Sequence, residues 1–583
     1  MTKAGDDKVK SVHDNSRGQH GRLRLPFEKL LPLIVMICGY VTDVVYVAIN
    51  GRNLINSDAS AEMMLGRLLN TTGGIITDKW HYSSELRVLN TQLVYRIAMA
   101  LFPDNWHYAR VFSVSVFLLI LIISALFLVR VAKLGTAGLW WCAVIVMPVG
   151  QWYGWNVLYN SYYIPHIVIS ILSVGLLVLY IDESQKIQTA RSQKVMLSVL
   201  ICALGFTAGL GGTRQLMICF VPAFAASLFM FAEDFMSVNG FWQSPKQGAK
   251  KSTGDKAIVA ALFSSFMMLL SSAIGYLVNV CVLSKICSFK NYSDTMVTDF
   301  SLSNVITCIG DCIALIGWKG GKKLLSISGV AGVLGVCIGA VAFVTLCICV
   351  FRKKQSSLQR FLTLFIAASF GVCLISYSQT ESYNCSYWVT FLPFLFLALF
   401  IWIGSRFESR SNDSDGNKGN SDCLDPKSGK VYKTDVYAKK QGCVCVVAAV
   451  ICVICGISTM HDPYISWCPN DLSIQNAETW LENNGYTQGC GTFWNSDVIT
   501  ELSDGKIEMW DVEDVNQLTS HQWLQSTSHD TTMPDGKFFI IVGTDEYTSN
   551  ADSWKLPSMV DHVVYGDDNY FIFSFDSVAE YLK

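Results

Sequence analysis

Apolar stretches about 20 residues long, enough to cross a bilayer as a helix, recur through residues 30–458 of a 583-residue chain. Nothing else in the sequence limits the fold as strongly. In hydrocarbon every backbone amide must find its partner inside the chain, so such stretches become helices packed on one another. Runs at 30–49, 109–129, 137–150, 164–181, 195–211, 215–232, 257–283, 325–351, 361–378, 387–404 and 443–458 predict about eleven spans, the third and fifth short. Composition agrees, with only 15% charged residues against about 25% in a soluble domain. Residues 1–29 form a polar, basic tail, and the apolar segment behind them has the length of a span rather than of a cleavable leader.

Lys and Arg placement sets the expected orientation. The tail carries Lys8, Lys10, Arg17, Arg22 and Arg24 and is expected inside. The basic loops "DESQKIQTARSQK", "QSPKQGAKKSTGDK" and "FRKKQSSLQR" and the Ser/Asn/Gly/Lys-rich linker 405–442 each follow after an even number of spans. Residues 459–583 then lie outside, with four Lys, no Arg and 21 Asp plus Glu. Lys319, Lys322 and Lys323 fit this threading badly, which marks 284–324 as the stretch where the span count is least secure. A plasma-membrane protein of a bacterial kind is expected, 30–458 in the membrane and 459–583 a small external α/β domain. In that domain 477–485 reads as a helix stopped at Asn484-Gly485, and "KIEMWDV", "KFFIIVG" and "YFIFSFD" read as strands. Its acidity reads as a solvated surface.

The 20 cysteines mostly fall inside apolar runs, where Cys behaves as a small hydrophobe. "CVC" and "CVIC" at 443–455 therefore read as span packing rather than as a metal site. Cys468 and Cys490, in the external domain, are candidates for a disulfide. With a net charge of −2 and no basic, aromatic-interleaved face, nucleic acid is not an expected partner. No Walker loop, dinucleotide fingerprint, HExxH or GxSxG occurs to suggest those chemistries.

The long polar loop 50–108 carries the densest chemistry. "DASAEMMLGRLLN" repeats apolar residues with helical spacing, and "LRVLNTQLVYRIAMALF" predicts a second helix ending before Pro103. Both are expected to lie along the membrane with their apolar faces down. Asp58 then sits at the water–lipid boundary just past the first span. It can serve as a general base for a lipid-borne substrate, or simply cap its helix. Glu62, one turn on, can share the work. Between the helices Trp80, His81, Tyr82 and Glu85 either line a cavity, or they join the two helices. In the external link 209–215, Arg214 offers a permanently charged fork for phosphate, or a snorkelling cation. Tyr159, in the aromatic segment 151–166, belongs to an interfacial belt or stacks on a sugar. Glu381 and Tyr383 stand at a further external span end as candidates for substrate binding, Glu381 for a sugar hydroxyl or else for pairing with Arg214.

A first span followed by an external Asp, two surface helices, many further spans and a terminal external domain resembles the GT-C glycosyltransferases. The string "SDASAEMMLGRLL…GGIITDKWHYSSELRVLNTQLV" is similar to bacterial membrane proteins near the protein mannosyltransferase and aminoarabinose transferase branch. That resemblance implies a polyprenyl-phosphate-linked sugar donor, an external acceptor such as an envelope glycan, and Asp58 as the catalytic carboxylate, with inversion at the anomeric carbon. An Ala follows Asp58 where protein mannosyltransferases carry an acid, which leaves any second acidic role to Glu62. No organic cofactor is implied, and a divalent cation stays open. The competing reading is a transporter or flippase for a lipid-linked envelope component. It is disfavoured because no internal repeat is visible and charges cluster outside the spans.

Overall fold

The structure, a computed structural model, describes residues 27–583 except 56, 84–85, 87–90, 187–189, 239–252, 290–300, 319–322, 353–354, 380–387, 417–429 and 461–471. The basic tail, Glu85, Glu381, Tyr383 and Cys468 lie outside the described residues.

Helix α1 (Phe27–Asn50) leads into the first loop, which holds α2 (Ser57–Thr72), the two-residue strand β1 (His81–Tyr82) and α3 (Leu93–Leu101). The bundle continues with α4 (Trp106–Val131), α5 (Gly135–Val144), α6 (Ile164–Gln185), α7 (Arg191–Leu210), α8 (Val221–Val238) and α9 (Thr253–Cys281). After strand β2 (Ser288–Phe289), which pairs in parallel with β1, come α10 (Leu302–Leu315), α11 (Ile327–Phe351), α12 (Ser357–Tyr377), α13 (Leu392–Gly416) and α14 (Lys430–Met460). Local chemistry sets several starts: the Asn105 side chain accepts from the Tyr108 N–H to cap α4, as Ser326 and Ser356 cap α11 and α12.

Among the described residues, nine helices are long and apolar enough to cross a membrane, and 302–315 and 392–405 are shorter apolar helices. The expected eleven full spans are therefore not reproduced. The run at 137–150 differs most. Its helix α5 stops at Val144 after 10 residues, about 15 Å of helix and half the hydrocarbon thickness. Pro148 and Gly150 prevent its continuation, and the chain turns through a π-helical segment, Gly154–Tyr159, before α6. In 284–324, where no span was counted, α10 forms instead.

Helix contact in lipid depends on close backbone approach. Helices α7 and α9 meet at Gly209 and Gly275, where an added Cβ would stand 2.0 Å from the Ser272 carbonyl and 2.1 Å from the Phe206 carbonyl. Neither position has room for any larger residue.

The C-terminal domain, called external after the side expected from the sequence, holds α15 (Leu472–Asn483), β3 (Gln488–Gly491), α16 (Phe493–Leu502), β4 (Glu508–Asp514), β5 (Thr519–Ser520), β6 (Phe538–Gly543), α17 (Thr544–Ser549), β7 (Val563–Gly566), β8 (Tyr570–Phe575) and α18 (Val578–Tyr581). Its six-stranded sheet has the order β5-β4-β3-β6-β8-β7, with β3 parallel to β4 and β6, and β8 antiparallel to both neighbours. All three expected strands form, as β4, β6 and β8. The central strand β3 is the addition: "QGCG" has no alternation to reveal it, and Gly489 is needed because a Cβ there would meet the Phe539 ring at 2.5 Å. Side chains of β6 alternate between two cores, Phe539 and Ile541 packing under α15 and α16, Phe538, Ile540 and Val542 on the opposite face. Cys490 is fully buried within this sheet.

The external domain is seated on the first loop. The Arg52 guanidinium donates to the Leu502 carbonyl (3.0 Å), the Trp106 N–H to the Asp504 carboxylate (2.8 Å), and the His81 N–H to the Gln525 carbonyl (2.8 Å). Ala61, Leu65 and Leu69 of α2 pack with Phe493 and Leu524 of the external domain. The expectation that this apolar stripe faces lipid is corrected, because a protein surface covers it. Deepest in the interface, Arg110 of α4, 1% exposed, donates through Nε to Glu501 Oε1 (2.6 Å), through Nη2 to Glu501 Oε2, and through Nη1 to Asn160 (2.9 Å).

Breaking such a pair leaves one buried charge uncompensated, which costs about 3–5 kcal/mol. Arg110→Met or Glu501→Gln is expected to lower the unfolding free energy by that order, read by denaturant titration of the protein in detergent. The double variant Arg110→Met/Glu501→Leu should recover much of the loss, and an undiminished loss would contradict the pairing.

Candidate functional site

Asp58 occupies the first turn of α2, where the helix N-terminus favours a negative charge. The helix begins at Ser57, so Asp58 lies inside that turn rather than at the cap before it. It is half-buried, in contrast with its neighbours Ser57, Ala59 and Ser60, which are buried. The turn is held from outside: Ser57 Oγ donates to the Trp494 carbonyl (3.0 Å) and Ser60 Oγ to Glu501 Oε2 (2.5 Å). Asp58 thus keeps partial access to solvent at the place where bundle, first loop and external domain meet.

Glu62 is 2% exposed and accepts from Thr91 Oγ1 at 2.6 Å. Its carboxylate ties α2 to the start of α3. Trp80, His81 and Tyr82 do not line an open cavity. Trp80 is 3% exposed and bridges to Ser526 through the backbone, Tyr82 is 2% exposed and its hydroxyl accepts from the Thr77 N–H (3.0 Å). His81 lies between Ser288 (Nδ1, 2.7 Å) and Asp530 of the external domain (Nε2, 2.8 Å). These side chains are a seam between three parts of the chain, as the packing of aromatic rings against an apolar partner face requires. An open groove of about 750 Å³ does lie nearby, between Thr71–Gly73, Thr77–Lys79 and Ile286–Cys287. At 1.5 Å per residue its Thr72 wall is about 20 Å along α2 from Asp58, so it is not formed around that carboxylate.

Arg214 is half-buried in the link after α7, its guanidinium over the Tyr163 ring at 5.1 Å. The adjacent Gln215 donates to the His166 carbonyl (3.0 Å) and accepts from Ser170 (3.0 Å), which anchors the link to α6. An added Cβ on Gly211 would meet the Leu86 carbonyl at 3.2 Å, so the first loop lies directly against the Arg214 link. Tyr159 is not in an interfacial belt. It is 1% exposed in the bundle, its ring 4.7 Å from that of Tyr46.

Three acids went unnoticed in the sequence. Glu501, Asp497 and Asp511 belong to the domain whose acidity reads as solvated surface, yet each is at most 4% exposed. Burial pushes the Asp497 carboxyl well above the usual carboxylate range, reinforced by Asp511, Asp58 and Glu501, and burial raises Asp511 to about 8. In the bundle, Asp43 of α1 is 1% exposed, and neither of its oxygens meets a hydrogen-bond partner among the described residues. Charges do not all cluster outside the spans. A lone Asp inside an apolar run was the available signal for Asp43; α16, by contrast, shows nothing that separates Asp497 from its solvated neighbours.

Among the described residues no three His, Cys, Asp or Glu are placed to hold a metal ion, and Cys445, Cys452 and Cys455 are buried in the bundle as span packing.

No protein-family model matches this sequence, and no curated protein matches it. Solved structures do. ArnT from Cupriavidus metallidurans in the apo state matches with a TM-score of 0.51 at 11% identity, over 94% of this chain and 97% of that one. The same ArnT bound to undecaprenyl phosphate gives 0.49 at 11%, over 94% and 98%. The Archaeoglobus fulgidus oligosaccharyltransferase AglB, in complex with an inhibitory peptide and a dolichol-phosphate, gives 0.46 at 11%, over 95% and 75%. Another structure of an A. fulgidus oligosaccharyltransferase, with Zn and sulfate, gives 0.45 at 11%, over 94% and 73%. The apo ArnT match, nearly end to end in both chains, shows that this protein shares the fold of that structure: a polytopic helical membrane domain with a sheet-containing domain at its C-terminal end.

Thr91→Val removes the hydroxyl that donates to the buried Glu62 carboxylate while keeping the shape of the side chain. It is expected to cost about 1–3 kcal/mol of stability, measured by thermal or denaturant unfolding. Glu62→Gln, which can still bond Thr91, should cost less. Equal losses would argue against the Glu62–Thr91 tie.

Proposed function

We propose that the protein is a membrane glycosyltransferase that moves a sugar from a polyprenyl-phosphate carrier to a saccharide or other acceptor outside the membrane. The observation that carries this reading is Asp58: a half-buried carboxylate in a helix first turn, clamped where the external domain, the first loop and the bundle meet, on a GT-C fold. ArnT, which shares that fold, has been solved with undecaprenyl phosphate bound, which suggests the class of donor lipid.

On this reading Asp58 accepts the proton of the acceptor hydroxyl as its oxygen attacks the anomeric carbon. The bond to the phosphate oxygen breaks in the same displacement, and the configuration inverts. Arg214, next to the first loop, holds the donor phosphate with its planar fork and stabilises the charge that develops on the leaving group. Glu62 acts through position, fixing α2 against α3. The seam of Trp80, His81 and Tyr82 keeps the external domain over the loop, where that domain helps bind the acceptor. No step is assigned to a divalent cation, since no three His, Cys, Asp or Glu among the described residues are placed to hold one. Transport of a lipid-linked component keeps one supporting observation, the unpartnered buried Asp43, because an ionisable group inside a span is typical of ion and substrate pathways.

The test is transfer by the protein in lipid, with polyprenyl-phosphate sugars offered against envelope glycans. Asp58→Asn should lower kcat by about 10²–10⁴-fold, the usual contribution of a general base, with donor binding retained. Arg214→Lys should raise the donor KM by about tenfold or more, since Lys lacks the bidentate fork. Full transfer by Asp58→Asn would return that residue to a helix-end role. Flux of a lipid-linked substrate that depends on Asp43, without transfer, would favour the transporter.

A further inference from the structure

The contact between α2 and α16 contains two acids that the proposed reaction does not use. Asp497 lies in the middle of α16 and Asp511 in the middle of β4, at 2% and 1% exposure. Neither oxygen of Asp511, nor Oδ2 of Asp497, meets a hydrogen-bond donor among the described residues. The Ser496 hydroxyl beside Asp511 partly offsets the burial of that carboxyl, while its own bond runs to the Thr492 carbonyl (3.1 Å). Two contacts fix how the helices lie: Ser57 to the Trp494 carbonyl and Ser60 to the Glu501 carboxylate. Asp58 falls between the two anchor points on α2, and Asp497 between the two on α16. The acid pair therefore backs onto the Asp58 turn.

The other titratable or charged groups facing the pair are Asp58 from α2, Glu501 from α16 with Arg110 of α4 behind it, Cys490 from β3, and His521, whose N–H donates to the Asp511 carbonyl (2.9 Å). Arg110 is the cation of the group, and its guanidinium is already engaged by Glu501 and Asn160. Two ionised carboxylates side by side, with no donor placed on three of their four oxygens and no cation of their own, are strongly disfavoured in such a place.

We propose that Asp497 and Asp511 form a proton-holding latch: protonated, they let the external domain seat against the Asp58 turn, and ionised, they force α16 away from α2. The latch stands on the burial and lack of donors alone. Its consequence for catalysis rests on the reading of Asp58 as base, because unseating α16 removes the Ser57 and Ser60 anchors that hold that carboxylate. The direction follows from linkage. The seated state binds these protons more tightly than a solvated state does, so seating weakens as pH rises from the ordinary carboxylate range up through about 8, where Asp511 gives up its proton.

The experiment uses the full chain in lipid nanodiscs. The infrared difference between the wild type and Asp497→Asn/Asp511→Asn at pH 7 should contain a protonated-carboxyl band that fades by pH 10. Hydrogen exchange, corrected for its intrinsic pH dependence, should show α2 and α16 losing protection between pH 7 and 9 in the wild type, by up to about a hundredfold per pH unit while both protons are held and about tenfold once Asp511 has lost its own, and little in the double variant. A difference spectrum without that band, or equal loss of protection in both proteins, overturns the proposal. Should the double variant fail to fold, the wild type decides: α2 and α16 must lose protection while β6 keeps its own, and a uniform loss overturns the latch. Transfer unaffected by Asp58→Asn would remove the base reading and leave the latch standing, so the two failures are distinct.

Discussion

The buried ion pair between Arg110 and Glu501 is the contact on which the arrangement of the molecule turns. A guanidinium at the head of an otherwise apolar helix is tolerable only if its donors are satisfied, and here every described partner comes from elsewhere: Glu501 from the external domain and Asn160 from the irregular segment before α6. Membrane bundle, first loop and external domain are thereby held at one point, since Ser60 of α2 also bonds Glu501. Without the external domain Arg110 would be an unpaired charge at the top of the bundle. Without Arg110, Glu501 would be one more stranded acid beside Asp497 and Asp511. Each half of the protein supplies what the other needs, which makes the docking a part of folding rather than an addition to it.

Much of the architecture is legible in the sequence because hydrocarbon imposes a simple rule. Long apolar runs become helices, and most of their ends fall within a few residues of the observed ones, although α13 extends to Gly416 and α14 starts at Lys430, both well into the polar linker. The failures have local causes. The run 137–150 is apolar enough but ends at Pro148 and Gly150, so composition overstates a helix that backbone geometry stops. The external strands are readable where β-branched and aromatic residues crowd together, and β3 is not, since its glycines serve the Phe539 ring instead of a pattern.

The candidate site divides the same way. Asp58 is legible because it is an acid at the point where the chain leaves a span. Trp80, His81 and Tyr82 suggest a lined cavity, yet their partners, Ser526, Ser288 and Asp530, are hundreds of residues away, and no local pattern reports a contact of that kind. The buried acids of α16 and β4 are hidden by their own domain's charge: one acid among 21 looks solvated until the packing shows otherwise. What the fold adds to the sequence is chiefly a set of long-range partners, and these decide which polar residues are exposed to a substrate and which are structural.

The anchors of the Asp58 turn have a consequence for how the protein is made. Residue 58 leaves the ribosome early, while Trp494 and Glu501, which hold its turn in place, are synthesised more than 430 residues later, as the sequence separations of 437 and 441 show. At about 5–20 residues per second that interval is some tens of seconds, during which the first loop is present without its clamp. The turn that carries this carboxylate is clamped only when the domain that holds Trp494 and Glu501 has reached the same side and folded. A chain that stalls in the middle or inserts a helix the wrong way round would carry the same Asp58 with its turn unclamped.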